Sequence, residues 1–149
     1  MSLDLPRPER ARLKLWLRML KATRQVEGAL RERLRVEFGS TLPRFDVMSA
    51  LERRPEGLKM SELSRMLMVS NGNVTGIVDR LVAEGLAERA DLAGDRRATL
   101  VRLTEAGTAQ FAAMAAEHAR WVDALMAGLD DAEVERTAAA LARLARSAR

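Results

Sequence analysis

The sequence contains no cysteine and only one histidine, His118, among its 149 residues. Disulfide bonds, thiol catalysis and thiol redox sensing by this chain are therefore excluded, and a histidine-rich metal site is not expected. Aromatic residues make up 3% of the chain, which argues against a large aromatic-lined sandwich or barrel. No apolar run approaches the roughly 18 residues of a membrane-spanning helix, and residues 1–10 lack the apolar core of a signal peptide. We therefore expect a cytoplasmic protein with no membrane partner.

The sequence also lacks the residue sets of common catalytic sites. It has no cysteine nucleophile, no glycine-rich phosphate loop and no cluster of metal-binding residues, so we predict neither an enzyme nor a cofactor. What it does have is a net charge of +4 and a sequence pI near 10.5. A positive net charge favours an anionic partner. The length suits one ordinary domain with a core of its own.

The most informative stretch is residues 69–85, which we interpret as a short helix with one apolar side. Ser70 is a preferred N-cap residue, and Gly85 follows the last turn, where a left-handed residue is favoured. Two glycines lie one turn apart, at a cost of about 1 kcal/mol of helix propensity each. The apolar side has the helical spacing i, i+3, i+4, i+7. It consists of Val74, Ile77, Val78 and Leu81.

Residues 42–67 precede this helix with two more helical segments. Thr41 and Pro43 mark the start of the first segment, and the turn signal at residues 55–57 ends it. Residues 58–60 predict a very short strand, and Ser61 is expected to cap the next helix, with Leu63, Met66 and Leu67 facing inward. Two helices joined by a short turn form a helix-turn-helix pattern.

The segment after residue 85 predicts a β-hairpin. Residues 86–90 and 98–103 alternate apolar and polar side chains, and residues 91–97 between them form a polar, basic tip. A helix-turn-helix followed by a basic hairpin identifies a fold much more specifically than either pattern alone. The expected fold is mainly α with a small β-hairpin wing.

Long helices flank this region on both sides. Residues 7–38 are predicted to form one helix that ends at Gly39, Thr104 is expected to cap a second, and Asp130 and Asp131 a third. The alanine-rich faces of the last two are expected to pack together. Between Arg7 and Arg24 there are seven basic residues against one acid, Glu9. This surface is either a solvated face or a surface for phosphates or an anionic ligand.

The chain resembles the MarR (multiple antibiotic resistance regulator) family of winged-helix transcription factors. The resemblance runs in order from about residue 42 to residue 112. The segments that carry it are MSELS at 60–64, VSNGNVTGIVDRL at 69–81, EGL at 84–86, DRR at 95–97 and LTEAG at 103–107.

This resemblance implies a single domain over residues 1–149, with a DNA-binding winged helix-turn-helix lobe at 42–103. Residues 7–38 and 104–147 would supply the helices that interleave in a homodimer. Two such lobes would bind successive major grooves of a pseudo-palindromic operator in double-stranded DNA, with half-sites about one helical turn apart.

The same resemblance suggests which side chains contact DNA. Asn, Ser and Thr side chains can bind base edges or phosphates in the major groove, whereas Arg80 is expected to contact phosphate or support the fold. At the hairpin, Arg97 would enter the minor groove, where narrow A·T tracts attract arginine. Asp95 would orient its guanidinium and Arg96 would contact the backbone. The residues assigned to the major groove are Ser70, Asn71, Asn73 and Thr75.

The resemblance also implies a small-molecule effector that releases a repressor from its operator. Residues 67–76 are similar to those of regulators of aromatic-acid catabolism, which suggests an aromatic acid or its CoA thioester. The candidate pocket residues serve equally well as core or dimer interface. They are Trp16, Phe45, Met48, Phe111, Met114 and His118.

Two other functions remain open. A winged-helix module that binds protein would not require the basic hairpin tip or the two glycines of the candidate recognition helix. A DNA-binding activator would share every feature of the predicted repressor.

Overall fold

The computed structural model describes the backbone of residues 4–67, 71–92 and 95–149. Within these ranges it describes every side chain except those of residues 71, 72, 92 and 95–98. The elements in chain order are α1 (Arg7–Phe38), α2 (Leu42–Glu52), β1 (Leu58–Lys59), α3 (Met60–Leu67), α4 (Asn71–Ala83), β2 (Ala87–Leu92), β3 (Asp95–Leu103), α5 (Glu105–Leu125) and α6 (Asp131–Ser147).

The ends of the long helices follow from their capping residues. Gly39 has φ 58°, and its N–H donates to the carbonyl of Arg35 at 3.0 Å, which ends α1. Thr41 and Thr104 accept from backbone N–H groups of α2 and α5. Asp130 begins α6 with a capping box, because its carboxylate accepts from Glu133 N–H while the Glu133 side chain accepts from Asp130 N–H. The predicted helices and their caps are confirmed at these positions.

The three strands form one antiparallel sheet in the order β1-β3-β2. Leu58 pairs with Val101, and Ala87 pairs with Leu103. The sheet closes one side of a core to which α1, α2, α3, α4 and α5 all contribute. The predicted fold class, mainly α with a small hairpin wing, is confirmed. The largest fully buried side chains of the core include Leu34, Met48, Leu51, Leu63, Leu81 and Met114.

The hairpin differs from its prediction. Residues 95–97 were expected in the tip, but they lie in β3, where Asp95 pairs with Leu92. The register passes from Asp91–Thr99 to Leu92–Asp95, so the ladder contains an irregularity there. A polar hairpin has no apolar alternation to mark its strand ends, so backbone pairing extends further than the side-chain pattern indicates.

The start of α3 was also predicted wrongly. The helix begins at Met60, so Ser61 lies within it and does not cap it. The carboxylate of Glu62 accepts from Lys59 N–H at 3.2 Å and supplies the cap from inside the helix. Met66, expected inside, is exposed, while Ser64 is buried. Leu63 is fully buried, and Met60 and Leu67 are partly buried against the core, so one side of this short helix attaches it.

The last two helices differ from expectation as well. Trp121 of α5 is buried against Phe38, with ring centroids 6.1 Å apart, although the sequence pattern had not marked it. By contrast, α6 contains no buried residue. The alanine-rich faces of α5 and α6 therefore do not form a closed core within one chain.

Candidate DNA-binding surface

Helix α4 is attached to the core by one row of side chains. Val74, Val78 and Leu81 are fully buried, whereas Ile77 is half-buried at the edge of the row. Gly85 has φ 74°, which lets Leu86 N–H donate to the carbonyl of Leu81 at 2.8 Å. The helix thus ends where the sequence predicts and turns directly into β2. Its opposite side is left exposed.

The glycine at position 76 lies on that exposed side. At 100° per residue, it falls about 180° from the middle of the buried row. A Cβ built on Gly76 would meet no atom within 4 Å. Relief of packing against another helix therefore does not explain this glycine in the chain as described. Because glycine has no side chain, nothing protrudes at the centre of the exposed side of α4. This low surface suits close approach of a large, flat partner.

Three predicted contact residues border this low surface. Asn73, Thr75 and Arg80 are exposed, with Asn73 and Arg80 on one flank of the helix and Thr75 on the other. Ser70 lies outside the described residues, and the side chain of Asn71 is likewise not described.

An ion pair joins α4 to the hairpin. Arg89 of β2 donates to the carboxylate of Asp79 in α4. A second pair joins Arg44 of α2 to Glu84, just after α4, and the hydrogen bond from Arg44 holds the pKa of Glu84 below its usual value. These pairs could not be predicted from the sequence, because their members lie on different elements at no fixed spacing.

The hairpin itself is braced across its two strands. Arg102 donates to Glu88 at 2.7 Å, and these two residues are register partners. Asp95, Arg96 and Arg97 follow at the other end of β3. Their backbone belongs to the strand, and their side chains lie outside the described set.

The base of the hairpin is locked to the start of α5. Thr104 N–H donates to the carbonyl of Leu86 at 3.0 Å, and the Thr104 hydroxyl donates to the carbonyl of Gly85 at 2.7 Å. A Cβ on Gly107 would lie 1.8 Å from the carbonyl oxygen of Leu86. Two separate segments of the family resemblance, 84–86 and 103–107, therefore meet here. Glycine at position 107 is required for this contact.

Five of the six predicted pocket residues lie close to or within the core. Phe45 of α2 stacks on His118 of α5, with ring centroids 4.5 Å apart. The ring centroids of Phe45 and Phe111 are 5.4 Å apart. Met48 and Met114 are fully buried. Trp16, in contrast, is 52% exposed on α1.

Charged groups lie beside the stacked rings. Burial lowers the pKa of His118, and the nearby carboxylate of Asp46 opposes this shift. Burial also raises the pKa of Asp46, while His118 lowers it and Glu27 raises it further. The junction of α1, α2 and α5 is therefore partly shielded from solvent, and it brings the carboxyl groups of Asp46 and Glu27 close to the imidazole of His118.

A cleft of about 560 Å³, which shares Asp46 with this cluster, reaches α4. Its lining is mostly apolar, with Arg31 and Asp46 as charged groups. Asn73 and Ile77 of α4 form part of its wall, so a molecule in the cleft would contact the candidate recognition helix. The remaining lining residues are Thr41, Pro43, Val47 and Leu67.

Neither a metal-binding cluster nor a helix suited to span a membrane occurs in the described ranges. No group of three or more His, Asp or Glu side chains there is arranged to hold a metal ion. Among the helices seen in this structure, none combines the length and apolar character needed to cross a membrane.

The chain is similar to known proteins in both sequence and fold. The MarR family profile matches residues 38–98. The crystal structure of a MarR family transcriptional regulator from Silicibacter pomeroyi superposes with a TM-score of 0.81 at 32% identity, covering 97% of this chain and 100% of that one. A crystal structure of mutant MarR from E. coli complexed with operator DNA gives a TM-score of 0.74 at 25% identity, over 88% of this chain and 93% of that one.

A sequence relative agrees over a shorter length. The HTH-type transcriptional regulator PecS of Dickeya dadantii (strain 3937) is 34% identical over 76 residues, which are 50% of this chain and 46% of PecS. The matched region thus spans about half of that relative. By fold and surface the molecule is a winged-helix protein. The chain belongs to the MarR family of transcriptional regulators.

Proposed function

We propose that this protein is a DNA-binding transcriptional regulator that recognises a pseudo-palindromic operator as a homodimer. The observation that carries the proposal is the exposed side of α4, with Gly76 at its centre and Asn73, Thr75 and Arg80 on its flanks. A low, polar helix surface fits the major groove, where amide and hydroxyl groups read base edges. The adjoining hairpin would follow the groove, with Arg97 in the minor groove, Arg96 on the backbone and Asp95 orienting Arg97. Ser70 and Asn71 would extend the major-groove contacts at the start of α4.

The homodimer is supported by apolar surface that one chain leaves uncovered. Large apolar side chains are exposed on the first half of α1, at the end of α5 and along α6. Patches of this kind mark protein interaction sites. They include Leu13, Trp16, Leu17, Leu125, Val134, Leu141 and Leu144.

The cleft beside α4 supports regulation by a small molecule. Its volume falls within the range of about 300–1,000 Å³ that is usual for ligand sites. Arg31 would bind a carboxylate, and Val47, Leu67 and Ile77 would contact an aromatic ring. We therefore propose an aromatic acid or its CoA thioester as effector, with repression relieved when the effector favours a spacing of the two lobes that the operator cannot accept. The cluster of Phe45, Phe111 and His118, together with Met48, Met114 and Trp16, is the alternative pocket.

A gel-shift titration against the inverted repeat nearest the gene tests the main proposal. Binding should weaken steeply as salt rises, because a protein that neutralises phosphates releases counterions. Salt-independent or absent DNA binding by a folded dimer would contradict the proposal and favour a winged-helix module that binds protein. Transcription measured with and without the protein then separates a repressor from an activator.

Isothermal titration tests the effector. Benzoate and benzoyl-CoA should bind the wild-type protein, and Arg31→Ala should weaken binding of the carboxylate more than Phe45→Leu does. The reverse order would place the effector in the alternative pocket. Absence of binding by both compounds would exclude this effector class and leave DNA binding untouched.

A further inference from the structure

The first half of α1 carries a basic stripe on one side of the helix. Seven of its residues between 7 and 24 are basic, and all are exposed. Six of them fall within about 120° of arc and extend over about 26 Å of helix. We call these six the basic stripe. They are Arg7, Arg10, Lys14, Arg18, Lys21 and Arg24.

The end of α5 and the start of α6 have the opposite charge. Residues 121–135, here called the acidic segment, contain five acids and no lysine or arginine. All of these acids except Glu133 are exposed. Its acids are Asp123, Asp130, Asp131, Glu133 and Glu135.

The charges of these two regions are not paired with each other in the chain as described. None of their charged residues takes part in an ion pair of the chain as described. Phe38 at the far end of α1 packs on Trp121 of α5, two residues before Asp123 in the sequence. Lys14 precedes Phe38 by 24 residues, or about 36 Å of helix.

Apolar side chains accompany both sets of charges. Leu13 and Leu17 are exposed on the side of α1 that carries the basic stripe, and Leu125 and Leu129 are exposed within the acidic segment. A nucleic acid on the stripe would satisfy its charge but leave this apolar surface in water. A protein surface with acidic and apolar residues interspersed satisfies both, and the acidic segment is such a surface.

We propose that the basic stripe of one protomer binds the acidic segment of a second copy of this chain. The contact occurs twice by two-fold symmetry, because an isologous dimer repeats each pairing. This inference rests on the homodimer of the proposed function and adds what determines the register of its two chains. Opposite charges align the helices, and the apolar side chains pack between them. It also assigns the basic half of α1 to the partner protomer instead of DNA or a ligand.

A charge-swap experiment on the full chain tests the pairing. The stripe reversal carries Lys14→Glu, Arg18→Glu and Lys21→Glu. The segment reversal carries Asp123→Lys, Asp131→Lys and Glu135→Lys, which leaves the capping box of Asp130 and Glu133 intact. Each variant alone should raise the dimer dissociation constant by roughly 100-fold at low salt, since three pairs are lost in each of two symmetric contacts. Sedimentation velocity at several ionic strengths measures this.

Mixing the two reversals gives the sharpest result. In a heterodimer of the two variants both contacts again join opposite charges, so heterodimers should form in preference to either homodimer. A chain with all six substitutions should dimerise like wild type. Circular dichroism of each variant verifies that its helices are retained.

The matched control is Arg53→Glu, Arg54→Glu and Lys59→Glu, which makes the same charge change on exposed residues of the turn after α2 and of β1. It should leave dimerisation unchanged. Statistical mixing of the two reversals, or wild-type dimerisation of each, would overturn the inference while leaving the homodimer intact. A stripe reversal that dimerises normally but loses DNA affinity would assign the stripe to phosphates. Absence of a wild-type dimer would instead refute the proposed function.

Discussion

Leu81 near the end of α4 is fully buried, whereas Leu141 in α6 is 42% exposed, although both lie on the apolar side of an amphipathic helix. The difference separates two regions of the molecule. The winged half, residues 42–103, packs its apolar rows against α1 and α5 within one chain. The first half of α1 and the whole of α6 have comparable apolar rows with no partner in the chain as described. An apolar row therefore predicts that a helix is covered, but not by which chain.

The largest expected effect distinguishes these two rows directly. Leu81→Ala removes a fully buried side chain and should lower the free energy of unfolding by about 2–5 kcal/mol. Leu141→Ala should instead raise the dimer dissociation constant, with a loss of stability that depends on protein concentration. Denaturant unfolding at several protein concentrations measures both. A concentration-independent loss of the same size for Leu141→Ala would remove the distinction between the regions.

The junction between the winged half and α5 gives the next effect. Gly107→Ala places a Cβ 1.8 Å from the Leu86 carbonyl oxygen, so it should lower the free energy of unfolding by about 3 kcal/mol. Gly28→Ala on α1 is the control, because its added Cβ meets nothing within 4 Å and should stabilise the helix by about 1 kcal/mol. Thermal unfolding of both variants checks this. Equal stability of the two would show that the hairpin base is not locked to α5.

Arg97→Ala tests function in the winged half without touching the long helices. It should weaken operator binding by about 10- to 100-fold, the usual cost of a lost specific contact, while dimer melting stays nearly unchanged. Gel-shift titration at fixed salt, with Arg102→Ala in the braced part of the hairpin as a comparison, measures the effect. Unaltered affinity would refute the role proposed for Arg97.

Gly76→Ala should have a smaller and two-sided effect. Alanine raises helix propensity by about 1 kcal/mol, and nothing in the described chain obstructs its methyl group. Stability should therefore rise while operator affinity falls, because the methyl group lies on the surface proposed to face the groove. Unfolding and gel-shift measurements on one preparation check both. A stabilised variant that binds operator as wild type does would contradict close approach at this position.

The smallest effect concerns His118, where the two regions adjoin. Burial lowers its pKa below the usual value, so the unfolded chain binds more protons between the two pKa values. Its contribution to stability is present above the unfolded pKa of about 6.5 and is lost as pH falls through the lowered pKa. His118→Phe keeps the stack on Phe45 and should flatten the fall in melting temperature between about pH 7.5 and 5.5. Asp46→Asn controls for the facing carboxylate. An unchanged pH profile in His118→Phe would exclude this histidine as the cause.

Much of the fold could be predicted because it depends on short-range chemistry. Gly39, Thr41, Gly85, Thr104 and Asp130 end or begin helices by hydrogen bonds within a few residues. The row Val74, Val78 and Leu81 follows from helical period alone. These features are local, so they can be read from neighbouring residues in the sequence.

Other features could not be predicted because they join distant parts of the chain. The Asp79–Arg89 and Arg44–Glu84 pairs, the burial of Trp121 and the cleft beside α4 depend on how elements meet. The hairpin extended past its expected ends for the same reason, since backbone pairing between strands is independent of side-chain polarity.

By itself, the sequence determined which segments form helices, where all of them except α3 begin and end, and that a helix-turn-helix is followed by a basic hairpin, because capping and periodicity act within a few residues. Only the tertiary structure decided which apolar rows one chain can cover. It also decided that Gly107 must admit the Leu86 carbonyl and that α4 forms one wall of a cleft. Those outcomes depend on packing between elements far apart in sequence, where a difference of a few ångströms separates contact from open space.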